Sequence, residues 1–372
     1  MNASERNQST DRKKKSVLIG ANRWITPENE RERGHDAASC PRPTLMIALI
    51  GCGQVGTAIA LGLKRAGHRI VWVKDIDPKT ERRAAELLLG EQRARSKEQK
   101  AKRLETGRRK AKGERRNSSL IPSPFSLIDA VSVILIATPD AEIEAAYRGI
   151  EASLSPNQTV LHFSGALSTA VFGVRRDPTS PGNQGCPVRR GIGDAGWGVL
   201  AMHPVMTFPA PRVTLTPALS PQRGGGIPKG TSFSLEGNRK GLVVGRRLVR
   251  DLGGKAFVIR AEDKPLFHAA CVFVSNFLDA LIDAGIELCA EVGLEPKTAY
   301  RVLEPLIQQT LRNIAESGTA QALSGPIERG DIETVRKHLA ALSKRRPELV
   351  QLYEALAAQT LTLAVRKKNR RH

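Results

Sequence analysis

Residues 44–75 read TLMIALIGCGQVGTAIALGLKRAGHRIVWVKD, and this stretch decides the fold. The uncharged run 45–50 has the length and composition of a buried strand. A glycine turn, GCGQVG at 51–56, ends that run, and an Ala-rich segment at helical spacing over 55–66 predicts a helix. Gly67 closes this segment, and a second strand is predicted over 70–73. The order of strand, glycine turn, helix and strand is that of a βαβ unit.

The glycine turn has the GxGxxG spacing that is typical of a dinucleotide-binding site. In that interpretation Gly51 makes the tight turn, Gly53 lets the backbone approach a pyrophosphate, and Gly56 lets the helix and strand pack closely. Asp75 follows Gly56 by 19 positions, where a carboxylate can accept hydrogen bonds from a ribose. The alternatives are a glycine-rich turn in an unrelated α/β protein and a membrane span over 44–63. The four glycines within 44–63 argue against the span.

The composition is that of an intracellular protein of two domains. The chain has 372 residues, and aromatic residues make up only 4% of it, which does not favour a stacking surface for nucleic acid. Its five cysteines are scattered, odd in number and without a CxxC pair, which indicates a reducing compartment and no metal site. Polar residues follow the basic residues near Lys13, so a signal peptide is not expected. We therefore expect a cytoplasmic protein with no membrane segment.

The formal net charge of +21 at first suggests a nucleic-acid partner. The basic excess, however, lies outside the patterned segments. Residues 91–118 hold 12 basic and 4 acidic residues, and residues 366–372 hold five basic residues. The remaining excess lies in 1–44 and 174–230. These stretches are typical of solvated chain, so a nucleic-acid partner acting through them is the least favoured interpretation.

Further apolar runs predict more buried strands, with helices between them. These runs are 131–137, 159–163, 197–202, 242–244 and 256–259. Strands that are apolar throughout and alternate with helices indicate a parallel sheet covered on both faces. From Glu262 onward nearly all of the sequence has helical periodicity. The predicted fold class is α/β, with an N-terminal doubly wound parallel sheet of Rossmann type followed by an all-helical C-terminal domain.

The domain limits follow from the same patterns. We predict an extension at 1–44, a dinucleotide-binding domain at 45–260, a helical substrate and dimerisation domain at 261–365, and a basic tail at 366–372. Insertions into the first domain are expected near 91–118, 174–196 and 209–230.

Ligands of open parallel sheets bind at the carboxyl ends of the strands. Three predicted strands end there in short polar motifs, which are Thr138-Pro139-Asp140, Ser164-Gly165 and His203-Pro204. Such residues also end strands as ordinary turns. Together with the glycine turn they predict one rim of a cleft, in which Ser164, Gly165 and His203 contact the substrate. The expected cofactor contacts are Gly51, Gly53, Gln54, Val55, Gly56, Asp75, Thr138, Pro139 and Asp140.

The helical domain opens with a predicted buried helix that carries one polar stripe. At 100° per residue Lys264, His268, Cys271 and Ser275 fall on one face, with Asn276 on its flank. Buried polar groups need partners, and a cleft for cofactor and substrate would supply them. We interpret Lys264, His268 and Asn276 as catalytic and Ser275 as substrate-binding, because a lysine or histidine there could transfer a proton during hydride transfer. A surface lysine and an interdomain histidine are the alternatives.

A loop over 324–331 leads into a helix that Asp331 is expected to cap. Arg329 in this loop is a candidate ligand for an acidic group of the substrate. A solvated arginine in an ordinary helix connection is the alternative.

These motifs, in their order, resemble a bacterial Rossmann-like family whose C-terminal half is a domain of unknown function, DUF2520. The resemblance rests on IGCGQVGTAIA, ATPDAEI, HFSGAL, HPVMTF, DKPLFHAACVFVSNFLDAL and ALSGPIERGDIETVRKHLAAL. It covers residues 45–365 apart from the insertions. The family is similar to pyrroline-5-carboxylate reductase, 6-phosphogluconate dehydrogenase and other β-hydroxyacid dehydrogenases. In the last group a lysine begins the cleft helix and an asparagine follows four residues later. Lys264 matches the lysine, and His268 stands where the asparagine would be.

The resemblance implies an NAD(P)-dependent oxidoreductase that forms a homodimer through its helical domain. Hydride would pass between the nicotinamide and a small carbonyl, imine or hydroxy acid. A non-catalytic module that senses a nicotinamide nucleotide is the alternative. The cofactor is NAD or NADP. Family members often carry Ser-Arg-Ser after the second strand, which suits NADP, whereas the acidic residues at 75 and 77 favour NAD. Lys74, Arg82 and Arg83 leave NADP open.

Overall fold

The computed structural model describes residues 43–90, 130–173, 196–208 and 227–369. Most of the predicted extension and of the three predicted insertions lies outside these ranges. The chain divides into two compact units between Cys271 and Val272.

The first unit contains a seven-stranded sheet with helices between the strands. Its strands are β1 (Met46–Ile50), β2 (Arg69–Lys74), β3 (Val133–Ile136), β4 (Thr159–His162), β5 (Gly198–Pro204), β6 (Ser232–Gly237) and β7 (Lys255–Val258). Its helices are α1 (Gln54–Arg65), α2 (Pro78–Leu89), α3 (Ile143–Glu151), α4 (Arg239–Asp251) and the first residues of α5 (Lys264–Val274).

The strands lie in the order β2-β1-β3-β4-β5-β6-β7. The first five are parallel, so the carboxyl ends of β1, β3, β4 and β5 share one edge of the sheet. β6 runs antiparallel to β5, and β7 runs parallel to β6. The predicted parallel sheet is therefore confirmed for β1 to β5. The sequence did not predict that the direction of the strands reverses at β6.

Both faces of the sheet are covered. On one face Leu49 belongs to a buried cluster with Ile59 of α1, Ala84 of α2 and Leu248 of α4. On the other face Ala48 belongs to a second cluster, which includes Ile143 and Tyr147 of α3. Successive residues of β1 thus point to opposite faces, as the strand geometry requires. The predicted doubly wound arrangement is confirmed.

The strand predicted at 242–244 is wrong, because these residues lie inside α4. Three successive apolar residues, considered without their neighbours, resemble a short strand. The buried positions of the longer segment are Gly241, Gly245, Leu248 and Val249, which have helical spacing. Asn238 begins the helix, since its side chain accepts a hydrogen bond from the N–H of Gly241 at 2.9 Å.

The second unit is helical throughout its described residues, as predicted. After the end of α5, its helices are α6 (Asn276–Ala290), α7 (Pro296–Ala322), α8 (Pro326–Arg329), α9 (Ile332–Arg345) and α10 (Val350–Asn369). Asp331 caps α9, as expected, by accepting from the N–H of Thr334 at 3.0 Å. The predicted basic tail begins inside α10. There Lys367 is buried, and its Nζ lies 2.7 Å from the Leu323 carbonyl oxygen and 3.1 Å from Glu328 Oε1.

Candidate active site

The glycine turn connects β1 to α1, and two of its glycines are required sterically. Gly51 has a φ of +86°, and a Cβ there would lie 2.6 Å from the carbonyl group of Ala137. A Cβ on Gly56 would lie 2.4 Å from the carbonyl oxygen of Gly51. Gly53 differs, since no atom lies within 4 Å of the position that its Cβ would take. Its backbone is therefore open to a ligand.

The N-terminal turn of α1 is suited to an anion. Gly53 is its N-cap and supplies no side chain to the first N–H groups, and no acidic residue lies in the first turn. Such N–H groups, with the positive end of the helix dipole, favour a phosphate. The Asp75 carboxylate lies against the same turn, where it accepts from the N–H of Cys52 at 2.6 Å and from that of Asp77 at 2.9 Å. Its oxygens retain lone pairs that a ribose hydroxyl can use. The residues present therefore fit a dinucleotide.

A cleft of about 240 Å³ lies at the carboxyl edge of the sheet, within the first unit. It is lined by Val55, Ala137, Thr138, Asp140, Phe163, Ser164, Gly165, His203, Pro204, Met206, Phe208 and His268. Seven residues that the sequence predicts to bind cofactor or substrate, or to act in catalysis, thus face one cavity. They are Val55, Thr138, Asp140, Ser164, Gly165, His203 and His268.

Two imidazoles converge in the cleft because residue 165 is glycine. A Cβ at Gly165 would lie 2.4 Å from His268 Cδ2 and 3.0 Å from His203 Nε2. The two rings meet edge to face, with their centroids 5.7 Å apart. Burial, together with the charges of Lys264 and His268, lowers the pKa of His203 to about 4. His203 is therefore neutral near pH 7 and presents one ring nitrogen as donor and the other as acceptor.

Ser164 forms hydrogen bonds with several of the groups that surround the cleft. Its hydroxyl donates to Asp140 Oδ2 at 2.8 Å and accepts from the N–H groups of Ala166 and Leu167. Its carbonyl oxygen accepts from Lys264 Nζ at 3.1 Å. Lys264 has no exposed surface, and burial lowers its pKa, while Glu236 and Asp140 raise it. An amine in this position can exchange a proton with a neighbouring group more readily than a surface lysine.

Three predicted site residues belong to the second unit, and their roles remain predictions. Ser275 and Asn276 hydrogen bond to each other through their side chains at 3.0 Å, and Arg329 is exposed at the end of α8. The predicted stripe is interrupted at Ser275, whose φ of −122° and ψ of −79° separate α5 from α6. The expectation of a buried helix is wrong for the single chain, because Lys264 is the only buried residue of α5.

Sequence reasoning missed two buried polar residues, one on β4 and one on β6. His162, at the end of β4, accepts from the N–H of Ser164 at 3.2 Å through Nδ1. Glu236 on β6 accepts from the N–H of Thr169 at 2.7 Å and from its hydroxyl at 2.6 Å. The alternation of small polar and apolar residues over 232–237 was the available signal for β6, and it would have placed Glu236 beside Ser234 on one face.

Two parts of the sequence match family descriptions. Residues 46–163 match the family described as NADP oxidoreductase, coenzyme F420-dependent, and residues 231–360 match the domain of unknown function DUF2520. The resemblance that the motifs predict is therefore confirmed. The comparison with curated proteins finds no match.

Solved structures share the fold. A candidate NADP oxidoreductase from Bacteroides fragilis is 20% identical, with a TM-score of 0.56, and the likeness covers 86% of this chain and 98% of that one. A Thermotoga maritima protein is 21% identical, with a TM-score of 0.55, over 87% and 99% of the two chains. Pyrroline carboxylate reductase of Plasmodium falciparum, with NADP bound, is 14% identical over 86% and 98%, and its TM-score of 0.44 carries no argument. At these identities the likeness shows a Rossmann-type fold alone.

Proposed function

We propose that this protein is an NAD(P)-dependent oxidoreductase that transfers a hydride between the nicotinamide and a small carbonyl, imine or hydroxy acid. The observation that carries the proposal is the shared cleft. Val55 beside the glycine turn, Ser164 after β4 and His268 of α5 line one cavity, although they are far apart in the sequence. The family description, and the Bacteroides fragilis structure that is described as an NADP oxidoreductase, support the class of activity.

Each part of the site has a role in this proposal. The open turn at Gly53 binds the diphosphate, and Asp75 accepts hydrogen bonds from the ribose. When bound, the nicotinamide ring supplies the hydride donor or acceptor. Lys264 and His268 supply or remove the proton that the substrate oxygen or nitrogen exchanges. Ser164, Gly165 and His203 position the substrate, since they line the cleft beside His268.

The residues after β2 favour NAD over NADP. The Asp77 carboxylate caps α2 by accepting from the N–H groups of Lys79 and Thr80, each at 3.1 Å. The hydrogen bond from the Thr80 hydroxyl, followed by these backbone contacts, lowers the pKa of Asp77, so its carboxylate is ionised near neutral pH. The helix N-terminus that could bind a 2′-phosphate is thus already occupied by a negative charge, and Asp75 adds a second.

We also propose a cytoplasmic homodimer that forms through the helical domain. The second unit exposes large apolar side chains, among them Phe273 at 67%, Leu306 at 66% and Ile332 at 65%. Contiguous exposed apolar surface is typical of a protein interface. Within the described residues one helical stretch, Ala261–Ala290, is long and apolar enough to cross a membrane, with a mean hydropathy of 1.6. A single such stretch is weak evidence for a span, and a dimer interface accounts for the same composition.

The test is direct binding followed by turnover. Purified protein should bind NADH in calorimetry, and Gly53→Val should abolish binding while circular dichroism shows that the protein remains folded. Indifference to both oxidised and reduced forms of NAD and NADP would refute the proposal. Binding without turnover on a broad panel of oxo acids and imines would instead identify a nucleotide sensor.

A further inference from the structure

The lysine at the end of β2 is already paired with a carboxylate of α2. Lys74 is the last residue of β2 and directly precedes Asp75, and its Nζ lies 3.0 Å from Oε2 of Glu81, in the first turn of α2. We propose that Glu81 is a specificity-determining residue, which neutralises Lys74 and so keeps it from binding the 2′-phosphate of NADP. The inference rests on the proposed function, because it requires that Asp75 contacts the ribose of a bound nucleotide.

Two hydrogen bonds to one oxygen join Glu81 to the end of β2. Oε2 of Glu81 accepts from Nζ of Lys74 at 3.0 Å and from the backbone N–H of Asp75 at 3.2 Å. The Glu81 side chain is 24% exposed and that of Lys74 is 58% exposed, so the carboxylate is the more buried partner. The Lys74 ammonium therefore lies beside the backbone of the residue whose side chain is assigned to the ribose.

A 2′-phosphate would enter the site where Asp75 contacts the ribose, and a nearby cation accommodates that phosphate in dinucleotide sites. The sequence offers Lys74, Arg82 and Arg83 as candidates. Lys74 is adjacent to Asp75 in the chain, and the hydrogen bonds place its ammonium beside the Asp75 backbone. Arg82 and Arg83 lie further along α2, where both are exposed. Lys74 is therefore the cation best placed for the phosphate, and the ion pair neutralises its charge.

The charges of the connection between β2 and α2 make this pairing matter. Residues 75–81 contain three acidic residues, which are Asp75, Asp77 and Glu81, and one basic residue, Lys79. A phosphate would therefore meet a net negative charge unless Lys74 were released from Glu81. Because an exposed ion pair is weak, its removal should shift the preference between the two nucleotides and not create an absolute switch.

The experiment is a calorimetric titration of the full-length protein with NADPH and with NADH. Glu81→Gln removes the charge but keeps an oxygen that can accept from the N–H of Asp75, and it should raise the affinity for NADPH relative to NADH by about three- to tenfold. Glu86→Gln is the matched control, since it makes the same change of charge at an exposed residue of the same helix. It should leave the ratio within about twofold, because solvent and salt screen a more distant charge. An unchanged ratio in Glu81→Gln, or an equal rise in Glu86→Gln, would overturn the assignment.

A second substitution tests whether the released lysine supplies the gain. Addition of Lys74→Met to Glu81→Gln should return the ratio of affinities to the wild-type value, because the pair is then absent as a whole. A gain that persists in this double variant would overturn the proposal. Glu81→Ala should reproduce the gain, which covers the case in which Glu81→Gln does not fold.

The same titrations separate this proposal from the proposed function. If NADH binds and the ratio does not move in the Glu81 variants, the specificity assignment fails and the proposed function stands. If neither nucleotide binds to the wild type or to any variant, the proposed function fails and the specificity assignment fails with it.

Discussion

Replacement of Gly51 by alanine should destabilise the protein by about 2 to 5 kcal/mol. A residue with a Cβ in a left-handed backbone conformation costs about 1 to 2 kcal/mol, and the φ of Gly51 is +86°. The added methyl group would lie 2.6 Å from the carbonyl carbon and oxygen of Ala137 and 2.7 Å from the nitrogen of Thr138. These are backbone atoms that no rotamer change can move, so overpacking adds about 1 to 3 kcal/mol. Total stabilities are about 5 to 15 kcal/mol, so the loss is readily measured.

Gly53→Ala is the matched control, because it makes the same chemical change two residues away. Gly53 has a φ of −65° and no atom within 4 Å of a Cβ. Its replacement should cost below about 1 kcal/mol, through the weaker preference of alanine for the N-cap. Urea unfolding, followed by circular dichroism, gives both free energies from the midpoints and slopes. If Gly51→Ala proved to be no less stable than Gly53→Ala, the steric reasoning about the turn would be refuted.

Three further outcomes are expected. His162 has a pKa of about 3 in the folded protein and of about 6.5 when unfolded, so the folded state binds fewer protons and stability falls as the pH drops below 6.5. In urea unfolding of the wild type, this group should lower the free energy of unfolding by about 2 to 3 kcal/mol at pH 4.5 relative to pH 7. His162→Gln should lack that contribution. Parallel pH dependence of the two proteins would contradict this reasoning. Combined Asp75→Ser and Asp77→Ser substitutions should shift the ratio of NADPH to NADH affinity by about tenfold or more towards NADPH in calorimetry, and an unchanged ratio would remove these carboxylates from the ribose site. Gly165→Ala should reduce turnover by about 10 to 100-fold while nucleotide affinity is kept, since its methyl group would displace the His268 ring, and full activity would count against the cleft as the reaction site.

The first βαβ unit could be predicted from the sequence because its signals are local. The run 45–50, the glycine turn and the Ala-rich segment each have a period or composition that allows few alternatives. The predicted helix at 55–66 was displaced by one residue at each end, since α1 spans Gln54–Arg65. The failure at 242–244 came from the same method, because three apolar residues are too few to separate a strand from one side of an amphipathic helix.

The polar motifs at the carboxyl ends of β3, β4 and β5 could also be found in the sequence, because parallel strands bring these ends to one edge. Their grouping at one edge followed from that rule, whereas His268 reaches the same cleft from α5. Glu236 could not be found in this way. Glu236 lies on β6, and its hydrogen bonds to Thr169 form because β6 runs antiparallel beside β5. No local pattern in the sequence specifies that reversal.

By itself, the sequence of this protein determined the nucleotide-binding turn, the class of fold and most of the residues that face the cleft, since these depend on short-range spacing. Tertiary structure alone decided which polar groups are buried and with what partners. Lys264 is buried and donates to the Ser164 carbonyl because two segments that are 100 residues apart in the chain pack together. His162 is neutral because the folded chain buries its ring. Burial and charge are properties of that packing, so the protonation states on which the proposed chemistry depends become visible only once the chain has folded.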